Sequence, residues 1–160
     1  MKHSFFKWKP QKPLKRTALK KVGTSYTADL KKQIQAVLRE YVILRDKGCI
    51  LRNDPEAGPC GGYRKDGEMI LQAEHLYTRA NSASFADHRL VVCICRNHHI
   101  FYKPQYPLDY YRIVRYRIGK ERSALLDRVM EDRRAHKVDL MQSLIGLKQE
   151  LKTLKELSPS

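Results

Sequence analysis

The strongest constraint on the fold is a long turn-rich segment next to cysteines. The segment 50–67 contains the turn formers Asn53, Asp54, Pro55, Gly58, Pro59, Gly61, Gly62 and Gly67. A stretch of this length without regular structure needs a clamp if it belongs to a compact domain. Cys49 and Cys60 bracket its first part. We therefore expect these two sulfurs to hold the loop, most simply through a shared metal ion.

Cys95 and His98 complete a set of four nitrogen and sulfur donors, which is the set that tetrahedral zinc takes in proteins. The spacing Cys95-x-x-His98 allows two donors to converge on one ion. Cys49 and Cys60 have ten residues between them, more than the usual two to four. We predict a structural zinc that contributes folding energy to a modest core. The alternative is four free thiols in a reduced protein.

Cys93 is the one cysteine left over. It lies two residues before Cys95, so both side chains point to the same face if this stretch is a strand. We favour a small buried core residue, although Cys93 can also replace one of the four ligands. The charged start of the chain has no apolar segment typical of a secretory signal. A reducing cytoplasm is therefore expected, where cysteines are more often metal ligands than disulfides.

The charge of the chain predicts a polyanionic partner. The net charge is +15, from 32 Lys and Arg against 17 Asp and Glu. We expect DNA, with RNA and anionic membrane as alternatives. Membrane is disfavoured because the chain has no long apolar run and no amphipathic anchor beside its basic start. Residues 1–27 are rich in Lys and Arg and lack acids, which predicts a disordered basic arm that contacts phosphate.

The rest of the chain predicts an α+β domain with helices at both ends. Apolar residues recur at helical spacing over 28–47, with Thr27 as N-cap and Gly48 as the stop. Strands are predicted over 68–77 and 89–94, helix-like composition over 96–103, and helix beyond Pro107, divided at Gly119. A seam of leucines follows at positions 140, 144, 147, 151 and 154. This seam predicts either a homodimer through the C-terminal helix or packing back on the domain.

Three acid–histidine or histidine pairs carry the predicted chemistry. Glu74-His75 ends the first predicted strand, Asp87-His88 precedes the second, and His98-His99 opens the following helix. Phosphodiester hydrolysis needs a base for water and a cation on the phosphate oxygens. Histidine titrates near neutrality, and carboxylates with imidazole bind Mg²⁺ or Mn²⁺. Each pair alone is commonly incidental, but the three together with a zinc motif indicate a hydrolytic site.

The stretch AEHLYTRANSASFADHRLVVCICRNHH resembles an HNH (ββα-metal) endonuclease, and more narrowly the NinG/Rap group of phage recombination nucleases. The resemblance implies that His75 is the general base and that Glu74 and His99 are ligands of the catalytic Mg²⁺ or Mn²⁺. It also implies that His98 replaces the final cysteine of the zinc motif. The middle residue of the HNH motif is open. Asp87, as a catalytic residue and metal ligand, is one candidate, and the others are His88, Asn81 and Asn97, because Leu90 occupies the aligned position.

The resemblance also implies a domain organisation and a substrate. Residues 28–119 would be an HNH nuclease domain with the zinc site, and residues 120–160 a C-terminal helical extension. The substrate would be duplex or branched DNA, in phage recombination or DNA processing in a bacterial host cell. Arg79, Arg96 and Lys103 lie near the motif and are predicted to hold phosphates. The alternative function is a non-catalytic zinc-containing DNA-binding module.

Overall fold

The computed structural model describes residues 19–77, 82–132 and 138–158. It confirms the α+β class, with helices around a small two-stranded sheet. The helices are α1 (Leu19–Asp46), α2 (Ser82–Phe85), α3 (Lys103–Gln105), α4 (Pro107–Glu131) and α5 (Leu140–Leu157), and the strands are β1 (Leu71–His75) and β2 (Val91–Cys95). A 3₁₀ turn, His88–Leu90, leads into β2, and a π-helical turn, His98–Tyr102, follows it. The segment between α1 and β1 has little regular structure, as predicted.

Helix α1 begins nine residues earlier than the sequence indicated. Thr27 lies inside the helix rather than capping it, and part of the predicted disordered arm is helical. The reason is cooperative: once a packed helix has nucleated, extending it into polar sequence costs little. Residues 1–18, the rest of the predicted arm, lie outside the described residues. The predicted stop is confirmed, because Lys47 and Gly48 have φ values of 53° and 128° and turn the chain out of the helix.

The two strands pair antiparallel, with a register that runs from Leu71 opposite Cys95 to His75 opposite Val91. Every residue of β2 is buried. Val91 and Cys93 belong to one core, and Val92 and Ile94 belong to the other. The sheet is therefore a layer covered on both sides, and its alternating side chains separate two sets of helices.

The first core is formed mainly by α1 and α5. Helix α1 contributes buried residues at four-residue intervals, namely Leu30, Ile34, Leu38 and Val42. In α5, the side chain of Asp139 caps the start by accepting hydrogen bonds from the N–H groups of Met141 and Gln142. Leu144, Leu147 and Leu151 of the leucine seam are buried. The seam thus packs against the rest of the chain, which was one of the two roles predicted for it. The other role, a homodimer through this helix, stays a prediction.

The second core contains α4, which is two helical segments joined at Gly119. This glycine has φ 81° and ψ 170°, a conformation outside the helix. Arg115 and Asp127 form an ion pair of 2.6 Å, although twelve residues of continuous helix would separate them by about 18 Å. The second segment therefore folds back on the first and buries Leu126. The described residues after Gly119 consequently contribute to both cores, Leu126 to one and Leu144 and Leu147 to the other. Across the described part of the chain, every helix is too short or too polar to cross a lipid bilayer.

Candidate metal centre and the neighbouring Glu74 site

The four predicted zinc ligands come together in space. Ligand atoms of Cys49, Cys60, Cys95 and His98 all lie within 4.8 Å of one another. The Nδ1 atom of His98 is 3.3 Å from the sulfur of Cys95, 3.4 Å from that of Cys49 and 3.9 Å from that of Cys60. Tetrahedral zinc with ordinary bond lengths places nitrogen and sulfur ligands about 3.6 Å apart. The cluster is therefore close enough to hold a metal ion such as zinc.

The loop fixes which nitrogen of His98 faces the sulfurs. Nε2 lies 3.1 Å from the carbonyl oxygen of Ala57 and 3.3 Å from that of Gly58. A carbonyl only accepts, so Nε2 carries the hydrogen and Nδ1 presents its lone pair to the cluster. Metal-bound histidines commonly have this backbone partner, which sets the ring orientation and makes the ligand more basic.

The sulfurs are poised for metal binding as well. A hydrogen bond from Cys49 lowers the pKa of Cys95 to about 4, and backbone N–H groups of His98 and Gly61 add to the effect. The same contact raises the pKa of Cys49. Cys95 is therefore a thiolate at neutral pH, which is the form that binds metal.

Two glycines explain how Cys60 reaches the cluster despite its long separation from Cys49. The backbone N–H of Asn97 donates to the carbonyl oxygen of Gly61 at 3.3 Å. Gly62 has φ +85°, and a Cβ there would lie 2.7 Å from the Cβ of Arg96. The turn after Cys60 is thus packed directly against the turn after Cys95, which brings the two halves of the site together.

Cys93 is a buried core residue, as favoured from the sequence. It belongs to the core on the α1 side of the sheet, whereas Cys95 belongs to the other core. Its backbone N–H donates to the carboxylate of Asp46 at 2.8 Å. Burial raises the pKa of its thiol to about 12, so Cys93 stays protonated. Both cysteines are paired residues of β2, opposite Ala73 and Leu71, and they contribute to different cores.

A second site lies beside the cluster, around Glu74. This glutamate is 4% exposed, and its Oε2 atom is 2.9 Å from Nε2 of His99. Its Oε1 atom accepts a hydrogen bond from the ammonium of Lys103. His99 and Lys103 are four residues apart on the turn that follows β2, so their side chains share one face. The strand and the turn thus bring together two of the predicted ligands of a catalytic ion.

His75 is oriented differently from Glu74, because consecutive strand residues face opposite sides of a sheet. Its Nε2 atom lies 3.1 Å from the carbonyl oxygen of Phe85, and its ring stacks on the Phe85 ring with centroids 5.7 Å apart. His75 is nevertheless the last residue of β1, and it lines a cavity of about 590 Å³ together with Lys103 and Tyr111. Lys103 is thus the residue common to this cavity and the Glu74 site, because Glu74 and His99 are not among the described residues that line the cavity.

A second cavity lies on the other side of His75, between α1 and β1. Its volume is about 430 Å³, and its walls include Gln35, Arg39, Arg64 and Gln72. Both arginines are exposed. His75 is therefore the wall that the two cavities share, with cations on both sides of it.

Asp87 is not brought to the Glu74 site. Its carboxylate accepts hydrogen bonds from the guanidinium and the backbone N–H of Arg89. Burial raises the pKa of Asp87, but the hydrogen bonds from Arg89 outweigh it and the pKa is lowered. Among the described residues, the cysteine–histidine cluster is the only group of three or more metal-ligand side chains placed to hold an ion, so Glu74 and His99 have no third such partner there.

The other residues predicted for the middle position of the motif or for phosphate contacts lie as follows. Nε2 of His88 lies 3.0 Å from a carboxylate oxygen of Glu150 on α5, and the side chain of Asn97 donates to the carbonyl oxygen of Pro59. Arg96 is exposed and covers Gly62. Arg79 and Asn81 lie outside the described residues. The middle position of the HNH motif is therefore not filled by either His88 or Asn97 at the Glu74 site.

Some site residues were missed from the sequence. The ion pair between Lys103 and Glu74 had a readable signal, because His99 and Lys103 stand one helical turn apart. Arg39, Arg64 and Tyr111 had none, because they come from three distant segments and only the tertiary fold places them beside His75.

Known proteins give no independent guide to this arrangement. A function therefore has to be inferred from the structure itself, that is, from the candidate metal centre, the Glu74 site and the two cavities lined by His75. Comparisons with protein-family models, with curated proteins and with solved structures found no match to this chain.

Proposed function

We propose that the chain is a metal-dependent DNA endonuclease of the ββα-metal type. In this proposal Glu74 and His99 hold a divalent Mg²⁺ or Mn²⁺ ion, and His75 is the general base. The observation that carries it is the contact between the buried Glu74 carboxylate and His99 next to a structural metal cluster. The resemblance to phage recombination nucleases suggests duplex or branched DNA as the substrate.

The separation between Glu74 and His99 suits two ligands of one ion. Their facing atoms are 2.9 Å apart. Two neighbouring ligands of an octahedral ion with bonds of about 2.1 Å are separated by about 3.0 Å. The pair can therefore bind an ion with little rearrangement, and such an ion polarises a phosphate and stabilises its leaving oxygen.

Lys103 has a role that depends on this ion. Its ammonium balances the Glu74 charge, and its side chain is 26% exposed. A divalent ion competes for the same carboxylate and leaves the ammonium free to turn toward the cavity. Lys103 then contacts the phosphate backbone, as predicted from the sequence.

His75 has the chemistry of a general base. Its Nε2 atom faces the Phe85 carbonyl oxygen at 3.1 Å and so carries the hydrogen. Nδ1 of the neutral ring then holds the lone pair, and because this atom is buried, the proposal requires the ring to turn toward the cavity before Nδ1 accepts a proton from water. A positioned base of this kind contributes about 10²- to 10⁴-fold to the rate.

DNA is the polyanion that best fits the charge distribution. Net charge +15 favours phosphate, and Arg39 and Arg64 line the cavity that borders His75. Contacts to phosphate weaken steeply as salt rises, because binding releases counterions. Sequence preference is expected to be weak, since these cations are placed to contact the backbone.

Nicking of supercoiled plasmid with Mg²⁺ or Mn²⁺ tests the proposal. We expect cleavage by the wild type, and losses of at least about 100-fold for His75→Ala and Glu74→Gln. Glu156→Gln is the matched control, because Glu156 is an exposed carboxylate on α5 whose ion pair with Lys152 lies on the surface away from the proposed site. Equal cleavage by Glu74→Gln and the control would refute the assignment of the ion.

The second candidate is a zinc-containing DNA-binding module without catalysis. The observation that favours it is Asp87, which is engaged with Arg89 instead of completing the Glu74 site. Salt-dependent DNA binding without cleavage under either ion would establish this alternative. Binding and cleavage should therefore be measured on the same preparations.

A further inference from the structure

We infer that the cavity between His75 and α4 binds an unstacked nucleobase, so that the substrate is DNA with unpaired nucleotides at the site of cleavage. The inference rests on the proposed nuclease function and specifies its substrate. It follows from what lines the cavity and from where the cavity lies relative to His75.

The walls of the cavity are suited to a flat aromatic ring. Tyr77 and Tyr111 both line it, and Met130 adds a polarizable side chain that is 47% exposed. Every nucleobase has a π-face, so aromatic walls bind bases without regard to sequence. The volume of about 590 Å³ is in the range of sites for small organic ligands.

The charges of the cavity suit the phosphate that accompanies a base. Lys103 lines it and is the cation that a divalent ion at Glu74 would release. Arg115 also lines it, but Asp127 and Ser123 hold its guanidinium in place. Arg115 is therefore already paired with an acid, and Lys103 is the cation that an ion at Glu74 would leave for the phosphate.

A base inside intact duplex cannot use this cavity, because its faces are covered by neighbouring bases. Extrusion costs least where the nucleotide is already unpaired. The cavity therefore selects single-stranded, flapped or branched DNA over intact duplex.

Binding without added divalent ion tests the cavity separately from cleavage. Fluorescence anisotropy would compare the full-length protein with a single-stranded 20-mer, the same strand in duplex, and a single strand that carries abasic sites. We expect the abasic strand to bind on the order of tenfold more weakly than the intact strand, because stacking is lost. Equal affinity for the two strands would overturn the inference without any mutation.

Substitutions on one helix provide the second arm. Tyr111→Ala should weaken single-strand binding on the order of tenfold, while Tyr111→Phe should retain it, because the ring is kept. Tyr116→Ala is the matched control, since Tyr116 lies on α4 and is 85% exposed. Loss by the phenylalanine variant, or an equal loss by the control, would refute stacking in the cavity, and tighter binding of RNA of the same sequence would refute DNA.

Cleavage of the same substrates separates the two proposals. If the wild type cleaves intact duplex as well as single strand and Tyr111→Ala changes neither, the cavity assignment fails and the nuclease stands. If no substrate is cleaved but the binding pattern holds, the nuclease fails and the nucleobase site stands.

Discussion

Removal of one metal ligand is the most direct perturbation of the fold. Cys60→Ala takes one sulfur from the cluster while changing little else, because Cys60 is only partly buried. Cys93→Ala is the matched control: it removes a fully buried sulfur that lies in the other core. Any difference between the two variants therefore reports the cluster rather than the loss of a thiol.

The expected magnitude follows from the size of the two energies. A structural zinc contributes about 10–16 kcal/mol in small domains. A whole domain is stable by about 5–15 kcal/mol. Loss of the metal therefore removes an energy as large as the total stability, and Cys60→Ala should unfold at least the segment 49–70. Cys93→Ala should cost only about 1–2 kcal/mol, as a small core truncation does.

Elemental analysis and thermal unfolding measure both effects on one preparation. The wild type and Cys93→Ala should each hold one equivalent of tightly bound zinc with similar unfolding curves. Cys60→Ala should hold less than about half an equivalent and lose its cooperative transition. Zinc below about half an equivalent in the wild type, or unchanged zinc and stability in Cys60→Ala, would refute the metal centre.

Two further predictions concern α5. Leu147→Ala should lower the free energy of unfolding, measured by denaturant titration, by about 2–5 kcal/mol, because Leu147 is 3% exposed. Leu157 is 75% exposed, so Leu157→Ala should change that free energy by less than about 0.5 kcal/mol. Similar costs for the two variants would show that α5 does not pack as described. Burial lowers the pKa of His88 more than its contact with Glu150 raises it. The unfolded chain therefore binds more protons there, so stability should fall as pH drops from about 7.5 through the unfolded pKa of about 6.5. His88→Gln should show a smaller fall between pH 7.5 and 5.5, since the metal ligands titrate in both proteins; an unchanged pH dependence would contradict this assignment.

The sequence predicted the elements that depend on local pattern. Both strands, the stop at Gly48 and the division of α4 at Gly119 were confirmed because alternation and glycine conformation are local properties. The start of α1 was wrong by nine residues, because helix propagation depends on a packed neighbour rather than on local composition.

The metal ligands were predictable for a different reason. Cysteine and histidine are scarce, so four of them at suitable spacings carry information even when the loop between them is long. Arg39, Arg64 and Tyr111 are common residue types on separate elements, and no spacing links them. Asp87 shows the opposite error. Its proximity in sequence to the motif suggested a role at the Glu74 site, but its carboxylate is paired with the guanidinium of Arg89, two residues later.

The two sites are coupled through consecutive residues, His98 and His99. Neighbouring residues of a helical turn have a fixed angle between their side chains, so a ring held in the cysteine–histidine cluster determines the direction of the next one. His98 is fully buried and held at both nitrogens, by the sulfurs and by the carbonyl groups of the loop. The turn that holds His98 in the cysteine–histidine cluster therefore also sets the direction of His99 toward Glu74. The short π-helical turn that contains both residues is a conformation often found at functional sites, because its wider turn re-aims side chains that a regular α-helix would place elsewhere.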